Sequence, residues 1–454
     1  MWFCIRGIVM KIAVYVLSKN AKQTYSNESF DVRLNAGIAV VVDILKRKGY
    51  NDIKYAGKTT VHEYDVVLYS VTSDCDWWNF IEERVKWKEK KYKVILGGQG
   101  VLNVRPFLKF ADYFMLGRAE GEIEKLITAL DKGEEYESPF VVNSKYFNIN
   151  KQYYINQVEK IYPYDIKLEN GETYHEDVIG CNHKCLFCGY TWHRKQAVQE
   201  EFNYSGLWNG GKDRERAMLD MDNGLEIDLV KLRTTAIDGL SERLRFMVKK
   251  KITRDIFKNF LERLAKCEKP HQVKFYNIIG LPSETEEDWQ EFLEDIRIVD
   301  SNFRKQEKQT SILLHSTPFR AMPATPLACQ PMSYENYRGK IAKTLGTSCK
   351  GNIFYQGNAM WAVESMATES LPTVIQSAIV WRGTEKDSEN IIKIACSKKF
   401  KTANALVKQA TLEKYFDVSG LFGTFTETTL PTRYLRTYAK VEKTWQKIDE
   451  DKIW

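Results

Sequence analysis

No apolar run in this 454-residue chain reaches the roughly 18 residues that a membrane-spanning helix needs. The leader MWFCIRGIV has too short an apolar core to read as a signal peptide. Charge of one sign is also lacking. Sixty-seven basic residues face 60 acidic ones, and the formal balance of +7 describes a mixed, solvated surface while still permitting an anionic partner. The nine cysteines are odd in number and too scattered for a disulfide scaffold, which places the chain in a reducing cytoplasm. Internal repeats, low-complexity tracts and a G-x-G-x-x-G fingerprint are absent. Bulk disorder is excluded by 43% hydrophobic and 13% aromatic residues, and the length suits two or three domains.

What is present alternates. In residues 1–135 the runs KIAVYVLS, YDVVLYSV and KVILGG read as buried strands. LNAGIAVVVDILKRKGY and WWNFIEERVKWKEKKY have helical spacing, and ADYFMLGRAEGEIEKLITAL reads as strand, turn and helix. The pattern predicts an α/β domain, a doubly wound (Rossmann-like) parallel sheet whose ligands lie beyond the carboxyl ends of the strands. Gly97 and Gly98 fall at such an end, either to let backbone approach a ligand or to turn the chain. Residues 136–172 are polar and aromatic and read as a linker. In residues 173–330 the expected strands are YHEDVIG, AMLDMD, VKLRTTAI, VKFYNIIG and TSILLHS, with helices in SERLRFMVKKK, TRDIFKNFLERLAKC and TEEDWQEFLEDIRIV. That run predicts a full or partial β/α barrel with its chemistry at the carboxyl ends of the strands. Residues 331–454 read as a mixed, mainly helical accessory region for substrate recognition.

The segment GCNHKCLFCGYTW directly follows a predicted barrel strand and carries Cys181, Cys185 and Cys188 as C-x3-C-x2-C. Structural zinc asks for four ligands, ordinarily as two separated pairs; here a second pair is missing, and only His183 or His193 lies close by. A redox C-x-x-C leaves Cys181 unexplained. An iron–sulfur cube on three thiolates is the better fit, because the iron without a protein ligand keeps an open position. Phe187, just before the third cysteine, adds an apolar shield.

This arrangement resembles the radical S-adenosylmethionine (SAM) superfamily. The resemblance implies a [4Fe-4S] cluster on Cys181, Cys185 and Cys188 whose open iron chelates SAM. It further implies reductive cleavage to a 5′-deoxyadenosyl radical, hydrogen abstraction from substrate, and an electron donor such as flavodoxin or ferredoxin. TTAIDGLSERLRFMVKKKIT is similar to the family's fourth-strand segment, which makes Ser241, Arg245 and Lys250 candidate partners of the cofactor's ribose and carboxylate. SERLR fits a capped, salt-bridged helix equally well. VKFYNIIGLPSETEEDW is similar to the fifth strand, so Ile278, Gly280 and Leu281 would lie against the adenine. HSTPFRAMPATPL is similar to the sixth strand, and MLDMDN to the second, offering Asp220 and Asp222 to the cofactor's amino group. Between Cys188 and Thr234 the chain is short for two βα units.

A doubly wound domain before the barrel resembles the cobalamin-binding subgroup, with VILGGQG and ADYFMLGRAEGE similar to that domain's ending. Its D-x-H-x-x-G motif has no match, and His62 is the domain's only histidine. Either cobalamin binds without histidine ligation or the domain keeps the fold without the cofactor. With cobalamin the implied reaction is C-methylation; without it, isomerisation, epimerisation or oxidation. Cys329 and Cys349 are the candidate hydrogen-atom donors of an epimerase, against the commoner role of small buried hydrophobes. The substrate is open among nucleic acid, peptide and small metabolite. A non-enzymatic alternative is a nucleic-acid-binding protein with a zinc-stabilised loop.

Overall fold

The computed structural model describes residues 10–17, 36–56, 60–86, 91–167, 173–176, 178–181, 184–194, 197–198, 217–267, 272–305, 311–328, 330, 348–350, 353–356, 359–363, 380, 383 and 385–388. Strands β1 (Ile12–Val16), β2 (Ile53–Tyr55), β3 (Val66–Ser70), β4 (Lys93–Gly97), β5 (Tyr113–Met115) and β6 (Val141–Asn143) form a first sheet. Helices α1 (Ala36–Arg47), α2 (Asp74–Lys86) and α3 (Ile123–Asp131) connect them. The order is β2-β1-β3-β4-β5-β6, with the first five parallel and β6 antiparallel on the edge. β1 and β3 are five-residue runs buried from end to end, as a strand covered on both faces must be. Ile12, Val14 and Val16 enter one core with Leu45, Leu126 and Ile127, whereas Ala13, Tyr15 and Leu17 enter another with Trp77, Phe80 and Ile81. Strand alternation therefore distributes α1 and α3 to one face and α2 to the other. α1 ends where Gly49 takes φ +97°, a conformation cheap only for glycine, and Tyr50 N then donates back to Leu45 O at 3.1 Å.

The segment read as a linker is part of this body. It supplies β6, paired Tyr113↔Asn143 and Met115↔Val141, and buries Tyr153 and Ile155.

Next come the short hairpin β7 (Ile166–Lys167) and β8 (Thr173–Tyr174), then β9 (Val178–Ile179), α4 (Gly189–Trp192), β10 (Ala197–Val198) and α5 (Ala217–Asp222). They are followed by β11 (Thr234–Ala236), α6 (Glu242–Met247), α7 (Arg254–Ala265), β12 (Gln272–Ile279), α8 (Glu286–Lys305) and β13 (Ser311–Pro318). Last are β14 (Ser348–Lys350), β15 (Ile353–Gln356) and β16 (Ala359–Val363). The second sheet runs β11-β12-β13-β16-β15-β14; its first four strands are parallel and the last two form an antiparallel hairpin edge. Crossovers through α7 and α8 join these parallel strands and bury Phe257, Phe260 and Phe292.

Three expectations change. AMLDMD forms the helix α5 and not a second strand. It contains no β-branched residue and puts Ala217, Met218 and Met221 in the core at helical spacing. β9 pairs antiparallel with β10 and is not a strand of the second sheet among the described residues. Residues 348–363, read as accessory, belong to that sheet. The helical readings ENYRGKIAKTL and NALVKQATLEKYF lie outside the described residues. No helix among the described residues is long and apolar enough to cross a membrane.

The two sheets share one apolar core, which runs from Val67 and Leu96 through Leu102 to Leu244, Phe275 and Leu314. Polar ties reinforce it. Arg118, just after β5, makes a fork of 2.6 and 2.7 Å to Glu176, just before β9, and pairs with Glu120. Asn103 donates to the carbonyls of Val380 and Gly383 at 3.1 and 2.9 Å.

Candidate cluster and cofactor site

Strand β9 delivers the chain into the cysteine loop through Gly180, at φ +71°, and the loop bends again at Lys184, φ +53°. Two of its hydrogen bonds are internal: Cys188 N donates to Cys185 O at 3.1 Å, and Trp192 Nε1 donates to the same carbonyl at 2.9 Å. Two anchor it outward, Leu186 N to Val248 O at 3.1 Å and Leu327 N to Leu186 O at 3.3 Å. The loop is thus pinned between the turn after α6 and the proline-rich turn after β13. Leu186 and Phe187 pack against the core and leave the three half-buried thiols on its rim.

Cys181, Cys185 and Cys188 are all free of disulfides. Burial pushes the Cys185 thiol up to about 12. Lys250 opposes that shift, while Asp238 and the thiols of Cys188 and Cys181 add to it. Three thiolates in so dry a place repel one another and need compensating positive charge, which is what a metal cluster supplies. No three described His, Cys, Asp or Glu side chains converge on a single ion. A cube differs from a zinc site in spreading its thiolates over separate irons.

His193 is not placed as a fourth ligand. Its ring is buried, Nε2 donates to Pro323 O at 2.7 Å, and burial lowers its pKa to about 4. A Cβ on Gly189 would lie 2.5 Å from the His193 ring and would also strike Met322, so the glycine is what admits the histidine. The neutral ring ties α4 to the proline-rich turn. His183 lies outside the described residues.

Lys250 is buried with Nζ 2.7 Å from Asp238 Oδ2, and its charge reaches Cys185. Both Asp238, at φ +56°, and Lys249, at φ +66°, hold the left-handed conformation, so the turn that aims this pair stores backbone strain. Asp238 had no signal in the sequence beyond its place after a short strand.

Ser241 and Arg245 have structural duties. Ser241 Oγ caps α6 by accepting from Leu244 N at 3.2 Å and donates to Asp288. Arg245 is fully buried, donating to the carbonyls of Ile252 and Leu240 at 2.9 Å, and burial lowers its pKa to about 10. The capped, salted helix is what SERLR forms. Asp220 and Asp222 sit on α5, with Asp222 exposed.

At the end of β12, Gly280 turns at φ +69°, and the amides of Gly280 and Leu281 donate to Glu284 Oε2 at 2.9 and 3.4 Å. Trp289 Nε1 donates to the other oxygen at 2.9 Å. Burial raises Glu284 to about 7 against these three hydrogen bonds. Glu284 is a residue the sequence reading missed, although GLPSE shows an acid four positions beyond the strand-ending glycine. Ile278 is half-buried on the opposite face of β12 from Phe275.

In the first sheet the order β2-β1-β3-β4-β5 puts a topological switch point between β1 and β3. The glycine loop beside it closes on protein: Gly100 N donates to Val71 O at 2.9 Å, and Val71 N to Gly97 O at 2.8 Å. Gly98, at φ +112°, leaves no room for a Cβ against Val71 O, whereas Gly97 meets only Met115, at 3.8 Å. Chain turning and close backbone packing account for these glycines. His62 lies in a turn before β3, at the amino end of the strands and away from the crevice. Cys329 is outside the described residues; Cys349 lies on the edge strand β14, opposite Phe354.

No known family model matches the chain, and no curated protein does. Solved structures are similar to it. The radical SAM methyltransferase TsrM from Kitasatospora setae, with cobalamin and a [4Fe-4S] cluster bound, shares 12% identity over 76% of this chain and 77% of its own, with a TM-score of 0.42. The cobalamin-dependent SAM radical enzyme OxsB with aqua-cobalamin bound shares 11% over 96% of this chain, which spans 56% of OxsB, with a TM-score of 0.26. The resemblance is to cobalamin-dependent radical SAM enzymes. At such identities it concerns the general fold; the chemistry must be read from this chain's own residues.

Proposed function

We propose that the protein is a radical SAM enzyme, and the observation that carries this is the cysteine loop: three half-buried, mutually interacting cysteines that form no disulfide, pinned between two turns, with no group of described His, Cys, Asp or Glu side chains completing a single-ion site. The donor set fits a [4Fe-4S] cluster held by Cys181, Cys185 and Cys188. When bound, the cluster supplies the electron that cleaves SAM to a 5′-deoxyadenosyl radical, which removes hydrogen from the substrate. A flavodoxin or ferredoxin is the expected electron source. The chain's own part is to hold and shield. Leu186 and Phe187 cover the apolar side of the loop, and Val248 and Leu327 fix its position. The ammonium of Lys250 offsets the charge gathered around Cys185. Glu284 fixes the strand end at Gly280 and Leu281, so any adenine seated there meets a rigid edge whose two amides are already occupied.

Cobalamin is a different case. The first sheet has a fitting topology, but the described residues offer no histidine at its carboxyl edge, so no step is assigned to that cofactor. C-methylation is the reaction to expect if the visible spectrum of purified protein shows added cobalamin retained.

The test is anaerobic reconstitution with iron and sulfide, followed by dithionite and SAM. About four irons per chain and formation of 5′-deoxyadenosine are expected. A colourless zinc protein that makes no 5′-deoxyadenosine would show the reading to be wrong.

A further inference from the structure

The two faces of β12 differ sharply. Val273, Phe275, Asn277 and Ile279 are buried, with the Phe275 ring 6.2 Å from Phe257 and 6.1 Å from Phe260. Lys274, Tyr276 and Ile278 occupy the other face, where Tyr276 is 38% exposed although its strand is hydrogen-bonded on both sides. β13 repeats the pattern: Ile312, Leu314 and Ser316 are buried, and Leu313, His315 and Thr317 are partly open. The parallel register sets Tyr276 beside His315 and Lys274 beside Leu313. The Tyr276 and His315 rings meet edge to face at 5.3 Å, and Lys274 Nζ stands 5.5 Å from the centre of Tyr276.

Interior strands of a parallel sheet ordinarily bury both faces under apolar side chains. Here one face instead presents an ammonium, a phenol and an imidazole side by side. It begins at Ile278, next to the strand end, and Tyr276 and Lys274 follow at steps of about 6.6 Å deeper along the strand. At that end Asp238 N donates to Tyr276 O at 3.3 Å and Asp238 pairs with Lys250, while the cysteine loop is tied through Leu186 to Val248, two residues before Lys250, and to Leu327 in the turn after β13. The open face therefore leads inward from the end of the sheet that holds the candidate cluster.

We propose that this face is the wall of the substrate site and that it takes a small molecule carrying a carboxylate or phosphate group. The proposal rests on the radical SAM reading above. Lys274 supplies the charge complement, His315 and the Tyr276 hydroxyl supply directional hydrogen bonds, and the Tyr276 ring supplies a flat apolar surface. A nucleic-acid track would need a row of cations to follow successive phosphates, whereas this face has a single lysine.

The experiment uses full-length, anaerobically prepared protein and two probes: inorganic phosphate followed by phosphorus NMR line width, and citrate followed by saturation-transfer NMR. Circular dichroism and iron content confirm that each variant is folded and loaded. Wild type is expected to bind at least one probe, and the tighter of the two names the anionic group. Lys274→Ala should weaken that binding about tenfold and His315→Gln about threefold, with Lys274→Arg restoring most of it. Lys132→Ala, on the exposed turn after α3, should leave binding unchanged. The proposal is overturned if wild type binds neither probe, if Lys274→Ala and His315→Gln bind as wild type does, if Lys132→Ala weakens binding equally, or if a short single-stranded RNA binds through Lys274 more tightly than either probe. Failure of the radical reading shows differently: an iron-free wild type that makes no 5′-deoxyadenosine, whatever the anion titrations give.

Discussion

The loop after β4 in the first sheet and the cysteine loop after β9 both turn through glycine at the carboxyl end of a strand, yet they use the turn in opposite ways. In the first, Gly98 and Gly100 bring the loop after β4 onto Val71, and the backbone groups there bond to one another. After β9, which pairs with β10 outside both six-stranded sheets, Gly180 leads into a loop that is also pinned by backbone bonds and carries three half-buried thiols with no disulfide between them. One strand-end loop is closed by backbone bonds to its neighbour, and the other carries three cysteines that form no disulfide. A glycine turn at a strand end does not by itself distinguish the two loops; the side chains that follow it do.

Four experiments press on that contrast. The largest effect belongs to the cysteine loop. Cys185→Ala should abolish cluster retention and reduce 5′-deoxyadenosine formation by more than about 100-fold, while the far-UV circular dichroism stays native. A variant that keeps its iron would erase the distinction between the loops. Next is the tie between the two bodies. Arg118→Met removes the partner of the buried Glu176 carboxylate and of the half-buried Glu120, and denaturant unfolding should show a loss of about 3–5 kcal/mol. Replacing both partners, Arg118→Met with Glu176→Gln, should recover part of that loss.

The third experiment concerns Glu284, whose carboxyl is raised by burial to about 7. Below the ordinary value of 4.5 both folded and unfolded chains hold the proton, so the group is neutral to stability. Between 4.5 and about 7 the unfolded chain releases it and the folded chain keeps it, so stability falls as pH rises, by roughly 3 kcal/mol in all. The difference in unfolding free energy between wild type and Glu284→Gln should change across that window and be flat above it. A difference that is constant from pH 4 to 8 would remove Glu284 as the titrating clamp of the β12 end. The smallest effect is at α7. There Thr253 Oγ1 accepts from Ile256 N at 3.1 Å, and Thr253→Ala should cost about 1 kcal/mol in thermal or chemical unfolding without altering iron content.

The legibility of this chain follows from element length and chemistry. β1, β3, β4, β12 and β13 are long apolar runs bounded by polar turns, and α1, α2, α3, α7 and α8 have clear helical spacing, so the sequence shows them. β2, β6 and β11 are three residues each and depend on neighbours for their hydrogen bonds, which is why Ile53–Tyr55 and Val141–Asn143 left no signal. Met218 to Asp222 looked like a strand because its position suggested one, but its residues are helix formers.

At the site the division is similar. Spacing singled out Cys181, Cys185 and Cys188, but an extended segment of that length could span more than about 20 Å, and the turns at Gly180 and Lys184 and the bond from Cys188 N to Cys185 O curl it. The roles of Ser241 and Arg245 could not be read so, since a serine before an acidic first turn and an arginine one turn later fit a cofactor contact and a helix cap equally well. Asp288, 47 residues beyond Ser241, and the carbonyls of Leu240 and Ile252 are partners that only folding supplies. Asp238 and Glu284 gained meaning only when folding placed them against Lys250 and the Gly280 amides.

The sequence by itself determined the alternation of strands and helices and the three-cysteine loop, because both depend on residues close along the chain. Tertiary structure decided which glycines face protein, which cations are used in packing, and which face of β12 stays open. Those outcomes depend on groups far apart in sequence that compete for the same buried space and the same hydrogen bonds.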